Sequence, residues 1–199
     1  IVTRDEVNAV MGLPKPIAIE ALLKTEMKQG HVDEGLVNRI YEDFVGIMVD
    51  FYKNDPMVQS KSGAEEVFKM LKENDIKVAI DTGFSREIAD TIIERLGWIE
   101  NGLIDFSVTS DEVEYGRPKP DMIFKAMNEL RIKSVLQVGK VGDTISDLEE
   151  GTAAGCKYVI GITTGAYTHQ ELLKAPHTHL ITDLLQIPDI IGIHQAKHP

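Results

Sequence analysis

One cysteine, Cys156, and one tryptophan, Trp98, occur among 199 residues. A single thiol excludes an internal disulfide and any cluster held by several thiolates. Cys156 closes the run Ala153-Ala154-Gly155-Cys156 and reads as a small buried hydrophobe. No apolar run approaches the ~20 residues of a membrane span, and no signal-peptide pattern opens the sequence, so a cytoplasmic protein with no membrane partner is expected. Positive charge is the scarcer sign: 21 Lys and Arg stand against 32 Asp and Glu, a net charge of −11. Nucleic acid calls for a basic face and is not expected as a partner. An anionic substrate would need cations placed locally. Internal repeats and low-complexity tracts are absent too.

The chain divides in two by pattern. Thr3 with Glu6 spells a capping box, and Val7, Val10 and Met11 follow on one helical face until Gly12 and Pro14 end it. A second helix begins near Pro16, carries Ile17, Ile19, Leu22, Leu23 and Met27, and stops at Gly30. A third starts near Asp33 and presents Leu36, Val37, Ile40, Phe44, Ile47, Met48 and Phe51 at helical spacing. Residues 1–56 therefore read as a small helical bundle. Its apolar faces exceed what a thin lobe buries, which makes a homodimer through these helices an expectation.

From 57 to 199 short strands alternate with amphipathic helices: a helix near 63–73, a strand 77–80, a helix 86–96, a strand 106–109, a helix 120–130, a strand 135–138, a helix 145–154, and strands at 158–162 and 179–181. Such alternation implies an α/β fold with a doubly wound parallel sheet. Ligands of open α/β sheets bind beyond the carboxyl ends of the strands, and three polar elements are expected to meet there. Thr82 ends the first strand, and its hydroxyl with the following amides, Gly83 first, could cradle a phosphate at a helix start or simply cap that helix. Arg117, in Gly116-Arg117-Pro118-Lys119-Pro120, could neutralise an anion bidentately. Asp143 and Asp147, one helical turn apart, could converge on a hard cation that keeps several waters, Mg²⁺ being the first expectation. The plainer alternative is that Asp143 or Thr144 caps the helix and Asp147 is a solvated first-turn acid.

Taken in order, these elements resemble the haloacid dehalogenase (HAD) superfamily of phosphoryl-transfer enzymes. Thr82 matches its second motif, the Arg117 segment its third and the Asp143–Asp147 pair its metal-binding fourth, while residues 1–56 match its α-helical cap domain. Arginine rather than lysine before the first proline, with Thr82-Gly83-Phe84-Ser85-Arg86 and Met11-Gly12-Leu13-Pro14-Lys15, is similar to the phosphonoacetaldehyde hydrolase (phosphonatase)-like subfamily. The resemblance implies Mg²⁺-dependent cleavage of a phosphonate or phosphate from a small substrate, Met11 contacting substrate and Lys15 forming a Schiff base with its aldehyde. An ordinary surface lysine is the alternative for Lys15, although a helix start and desolvation would both favour its free amine.

Two departures favour a phosphonatase-like relative over phosphonatase itself: Ala18 holds the place of the family's histidine, and Phe84 that of a tyrosine. The family's first motif, an Asp on a central strand that attacks phosphorus, has no match here. Asp50 falls on the third helix and Asp81 precedes the threonine on the wrong strand. The expectation is a truncated record, with two buried strands lacking their shared ladder partner. Alternatives are a phosphomonoesterase or phosphosugar mutase without imine chemistry, and an inactive phosphate-binding protein. The histidines 31, 169, 177, 179, 194 and 198 lack metal-ligand spacing; His177 and His179 share a face of one short strand, a weak zinc pattern.

Overall fold

A computed structural model of the chain describes residues 2–26 and 32–193. The expected helix stop at Gly30, His31, and the terminal His194 and His198 lie outside the described residues. Three helices come first: α1 (Arg4–Ala9), α2 (Lys15–Glu26) and α3 (Glu34–Asn54). The Thr3–Glu6 box closes α1 from both sides, Glu6 N–H donating to Thr3 Oγ1 at 3.3 Å and Thr3 N–H to Glu6 Oε2 at 2.7 Å. Asp33 accepts from the Gly35 and Leu36 amides and starts α3. The three do not form a self-contained bundle: α3 packs against α2 but also along α5 (Arg86–Leu96).

Beyond α3 the chain runs through α4 (Ala64–Glu73), β1 (Ala79–Thr82), α5, β2 (Phe106–Thr109), α6 (Asp121–Glu129), β3 (Gly139–Gly142), α7 (Ile145–Ala154), β4 (Tyr158–Ile162), α8 (His169–Leu172), β5 (His179–Ile181) and α9 (Ile187–Ile190). All strand pairs are parallel: β1 with β2, β3 with β4, and β4 with β5. They form two sheets, β1-β2 and β3-β4-β5, and β1 shares no ladder with β3. Lys140 on β3 reaches Asp81 on β1 at 2.5 Å, and Leu71 of α4 packs against the apolar clusters on both sides.

Central strand β4 is buried on both faces. Val159 packs with Leu148, Leu172 and Ala175 on one side, and Ile160 and Ile162 pack with Val67, Ile181 and Ile187 on the other. A parallel strand covered twice reads as an unbroken apolar run, which Tyr158-Val159-Ile160-Gly161-Ile162 is.

Two strands moved from their expected places. The first lies at 79–82 rather than 77–80. The expected strand at 135–138 is instead a 3₁₀ turn over Val135–Gln137, started by Ser134 accepting the Leu136 N–H, with Leu136 65% exposed. The true strand is Gly139-Lys140-Val141-Gly142, whose glycines and lysine gave no apolar signal. Its pairing with β4 decides the matter, an instance of tertiary context overriding propensity. The apolar stretch after β5 forms the short α9.

Candidate active site

Thr82 is the last residue of β1, and Asp143 follows directly on β3, so both stand at carboxyl ends of strands. The decisive contacts come from the turn between α1 and α2. A Cβ added to Gly12 would lie 2.5 Å from Thr144 Oγ1, one added to Gly83 would lie 2.9 Å from the Leu13 carbonyl, and one added to Gly116 would lie 2.5 Å from Pro14 Cγ. Three successive residues, Gly12, Leu13 and Pro14, thus press against the loops that carry Asp143, Thr82 and Arg117. Glycine stands at each meeting point because any side chain there would push the segments apart. Lys15 begins α2 at the end of this turn.

Lys15 is half-buried, and its Nζ lies 5.3 Å from the centroid of the Phe84 ring. Phe84 also touches two rings of α3, Phe44 at 6.3 Å and Tyr52 at 6.0 Å. Burial first, and the positive Arg117 second, lower the pKa of Lys15. The first turn of α2 contains no acid to offset this. The ring face attracts an ammonium, but desolvation and Arg117 outweigh it in direction. Ala18, one turn further along α2, is buried, so the position of the family's histidine is a methyl group packed away from solvent. Met11 lies in the same turn, partly buried.

Thr82 Oγ1 accepts the Phe84 N–H at 3.1 Å, leaving its own hydroxyl hydrogen for another acceptor. The helix start expected to cradle phosphate is partly spent, because the Arg86 N–H at the head of α5 donates to both oxygens of Asp111, at 3.2 and 3.1 Å. Ser85 stands at the N-cap without making a cap bond, and its hydroxyl is buried with no partner.

Arg117 and Asp147 belong to a buried charge cluster whose other members, Asp81, Lys140 and Glu150, sequence reasoning did not assign. The guanidinium, 9% exposed, lies 2.7 Å from Asp81 Oδ1 through Nη2, 2.8 Å from Asp147 Oδ1 through Nη1, and 3.3 Å from Glu150 Oε2 through Nε. Lys140 Nζ is 2.5 Å from Asp81, 3.2 Å from Asp147 and 2.7 Å from Glu150. Three acids face two cations. Burial would raise Asp81 and Asp147, yet the two cations hold both below the usual carboxylate range. The surplus proton affinity falls on Glu150, fully buried and pushed up to about 7 by burial. A signal for Glu150 existed, since it follows Asp147 by three residues on α7 and so shares its face. For Lys140 there was none.

The oxygens of Asp81, Asp147 and Glu150 lie within 4.8 Å of one another, a spacing that could hold a metal. The ammonium of Lys140 and the guanidinium of Arg117 fill that place, so these three do not fit an added cation. Asp147, expected beside Asp143 at a cation, is here engaged by protein groups. Its Oδ1 serves Arg117 and Lys140, and its Oδ2 accepts the Thr144 N–H at 3.1 Å and hydroxyl at 2.6 Å. Asp143 differs. Its side chain is 36% exposed, one oxygen accepting the Ala166 N–H at 3.1 Å with Lys61 Nζ 4.0 Å away. A half-open carboxylate at a strand end suits a hydrated hard cation. No zinc arrangement forms at His177 and His179, whose Nδ1 atoms contact the Ala175 carbonyl and the Thr178 hydroxyl.

A family model for haloacid dehalogenase-like hydrolases matches residues 1–161. The chain belongs to the haloacid dehalogenase-like hydrolases. Within this family it is 31% identical over 175 residues to a phosphonoacetaldehyde hydrolase of Bacillus cereus, covering 83% of this chain and 64% of that protein. It is 35% identical over 164 residues to one of Parabacteroides distasonis, covering 81% and 58%. The chain thus spans less than two thirds of the length of these relatives. In fold it is similar to a phosphonoacetaldehyde hydrolase-like protein of Oleispira antarctica, with a TM-score of 0.83 at 24% identity over 96% of this chain and 79% of that one. HAD membership agrees with the parallel strands and with the order of the three loops.

Proposed function

We propose that this chain forms a phosphonatase-like HAD site in which Lys15 makes a Schiff base with an aldehyde-bearing phosphonate such as phosphonoacetaldehyde. Residues 1–56 would act as the helical cap and 57–199 as the core. The observation that supports this reading is the contact of the Gly12-Leu13-Pro14 turn, which leads directly into Lys15, with all three loops.

Each side chain then has a task. Burial first and Arg117 second shift Lys15 toward the free amine, the form that attacks a carbonyl carbon. Loss of water gives a protonated imine, which accepts the electron pair of the carbon–phosphorus bond when it breaks. The Thr82 hydroxyl and the neighbouring Gly83 amide donate to phosphoryl oxygens, where preorganised donors contribute most to acceleration. Arg117 is neutralised by its three acids and acts by fixing the loops against one another. Asp143 would hold Mg²⁺, which supplies charge compensation for the phosphoryl oxygens when bound. Attack on phosphorus is the step these residues do not supply: Asp81, the acid closest to Thr82 in sequence, is taken up by Arg117 and Lys140.

Imine formation can be tested separately from turnover. Treating the protein with phosphonoacetaldehyde and borohydride should leave a reduced adduct on the Lys15 peptide by mass spectrometry, diminished by excess inorganic phosphate and absent from Lys15→Ala. Phosphate binding with no adduct would instead favour a phosphomonoesterase or phosphosugar mutase reading, which buried Ala18 supports by offering Lys15 no proton carrier.

A further inference from the structure

The loop after β4 touches both halves of the site. At one end the Ala166 N–H donates to Asp143 Oδ2 at 3.1 Å and the Tyr167 N–H to the Asp143 carbonyl at 3.2 Å. That approach is possible only because residue 165 is glycine, since a Cβ there would fall 1.8 Å from Asp143 Oδ2. At the other end the Tyr167 hydroxyl donates to the Asn8 carbonyl at 2.7 Å, 159 residues away in sequence. Asn8 O also accepts the Met11 N–H at 3.1 Å, so the same oxygen closes α1 and opens the turn that delivers Lys15. The Tyr167 ring packs against the Leu148, Val159, Leu172 and Ala175 cluster, which fixes the direction in which its hydroxyl points.

We propose that Tyr167 is a positioning residue that ties the Asp143 loop to the Lys15 turn, so that the cation-binding and amine-bearing sides of the site are held in one register. The role rests on the reading of Lys15 as the imine-forming amine. The ring alone would suffice for packing; the hydroxyl is what spans the two segments. Phenylalanine at this position keeps the ring, its burial and the cluster, and removes a single hydrogen bond across the site.

The test compares the whole chain with Tyr167→Phe and with Thr168→Ala, which disturbs the cap of α8 without touching the tie. A hydrogen bond of ordinary net strength corresponds to about a fivefold change in local opening. Amide exchange at Met11 is therefore expected to quicken about fivefold in Tyr167→Phe and to stay unchanged in Thr168→Ala. The second readout is the pH profile of Lys15 acylation, followed by mass spectrometry. Arg117 is the charged group that faces Lys15, with the Phe84 ring beside it. Releasing the turn moves Lys15 away from both, so the midpoint should shift upward toward that of a free lysine. Unchanged exchange and a superimposable profile in Tyr167→Phe would overturn the proposal, as would equal shifts in Thr168→Ala. Neither readout needs turnover. Failure of borohydride trapping with these shifts present would remove the imine reading and leave the tie intact.

Discussion

Replacing Arg117 by methionine removes one of two cations from a cluster of three buried acids and keeps the side chain's stem. Uncovering a buried charge in this way costs about 3–5 kcal/mol. Glu150 limits the loss, because with its value already raised to about 7 it takes up a proton once Arg117 is gone. Asp81 and Asp147 then share Lys140, which places the expected destabilisation near the lower end, about 3 kcal/mol. A domain with a stability of ~5–15 kcal/mol survives that. The sign with pH follows from Asp147, whose folded value lies below its ordinary 3.8. Such a group contributes stability that is present above the unfolded value and lost as pH falls through the folded one. Arg117 is a main source of that depression, so the gap between wild type and variant should be widest at neutral pH and narrow on acidification below about pH 5. Urea unfolding followed by Trp98 fluorescence reads this. The indole packs edge-on to Phe68 at 5.4 Å, against the Val78, Ile93 and Ile104 cluster. A variant within about 1 kcal/mol of wild type at pH 7.5, or a gap that grows on acidification, would refute the assignment of Arg117 as the cluster's tie.

Other outcomes follow from the same contacts. Glu150→Gln removes an acid whose folded value, about 7, exceeds its ordinary 4.5. The folded state therefore binds the extra proton between those values, and wild-type stability falls as pH rises through them by up to about 3 kcal/mol. The Gln variant should lack that slope and be the more stable protein above pH 7, as parallel urea titrations would reveal; equal slopes would contradict it. Gly116→Ala drives a methyl into the Pro14 ring and should lower borohydride trapping at Lys15 while costing about 1–3 kcal/mol of stability. Cys156, with its thiol pushed up to about 11 by burial, should react with iodoacetamide more slowly at pH 8 than a free thiol, and rapid alkylation in the native state would contradict that burial.

Much of the frame was readable because it rests on local rules. The Thr3 and Asp33 caps, the α7 boundaries and the doubly buried β4 are properties of short sequence windows, and each forms where its residues direct. Strand β3 was not readable, since its Gly139-Lys140-Val141-Gly142 run carries no apolar pattern and the strand is defined by its ladder with β4, a partner from a different part of the chain. The site divides along the same line. Thr82, Arg117, Asp143 and Lys15 are marked by turn chemistry and end up around one turn. What Arg117 and Asp147 do there depends on Lys140 and Asp81, which come from two different sheets, and that pairing has no local signature. Tyr167 escaped for the same reason, because its partner is a backbone carbonyl near the other end of the chain.

The claim on which the rest depends is that the Lys15 turn and the three loops surround a single phosphoryl-sized point. Hydrogen exchange with and without inorganic phosphate and Mg²⁺ measures it directly. Slowed exchange together at residues 11–15, 82–85, 116–117 and 143–147 is the expected result, and protection confined to one of these segments would contradict it.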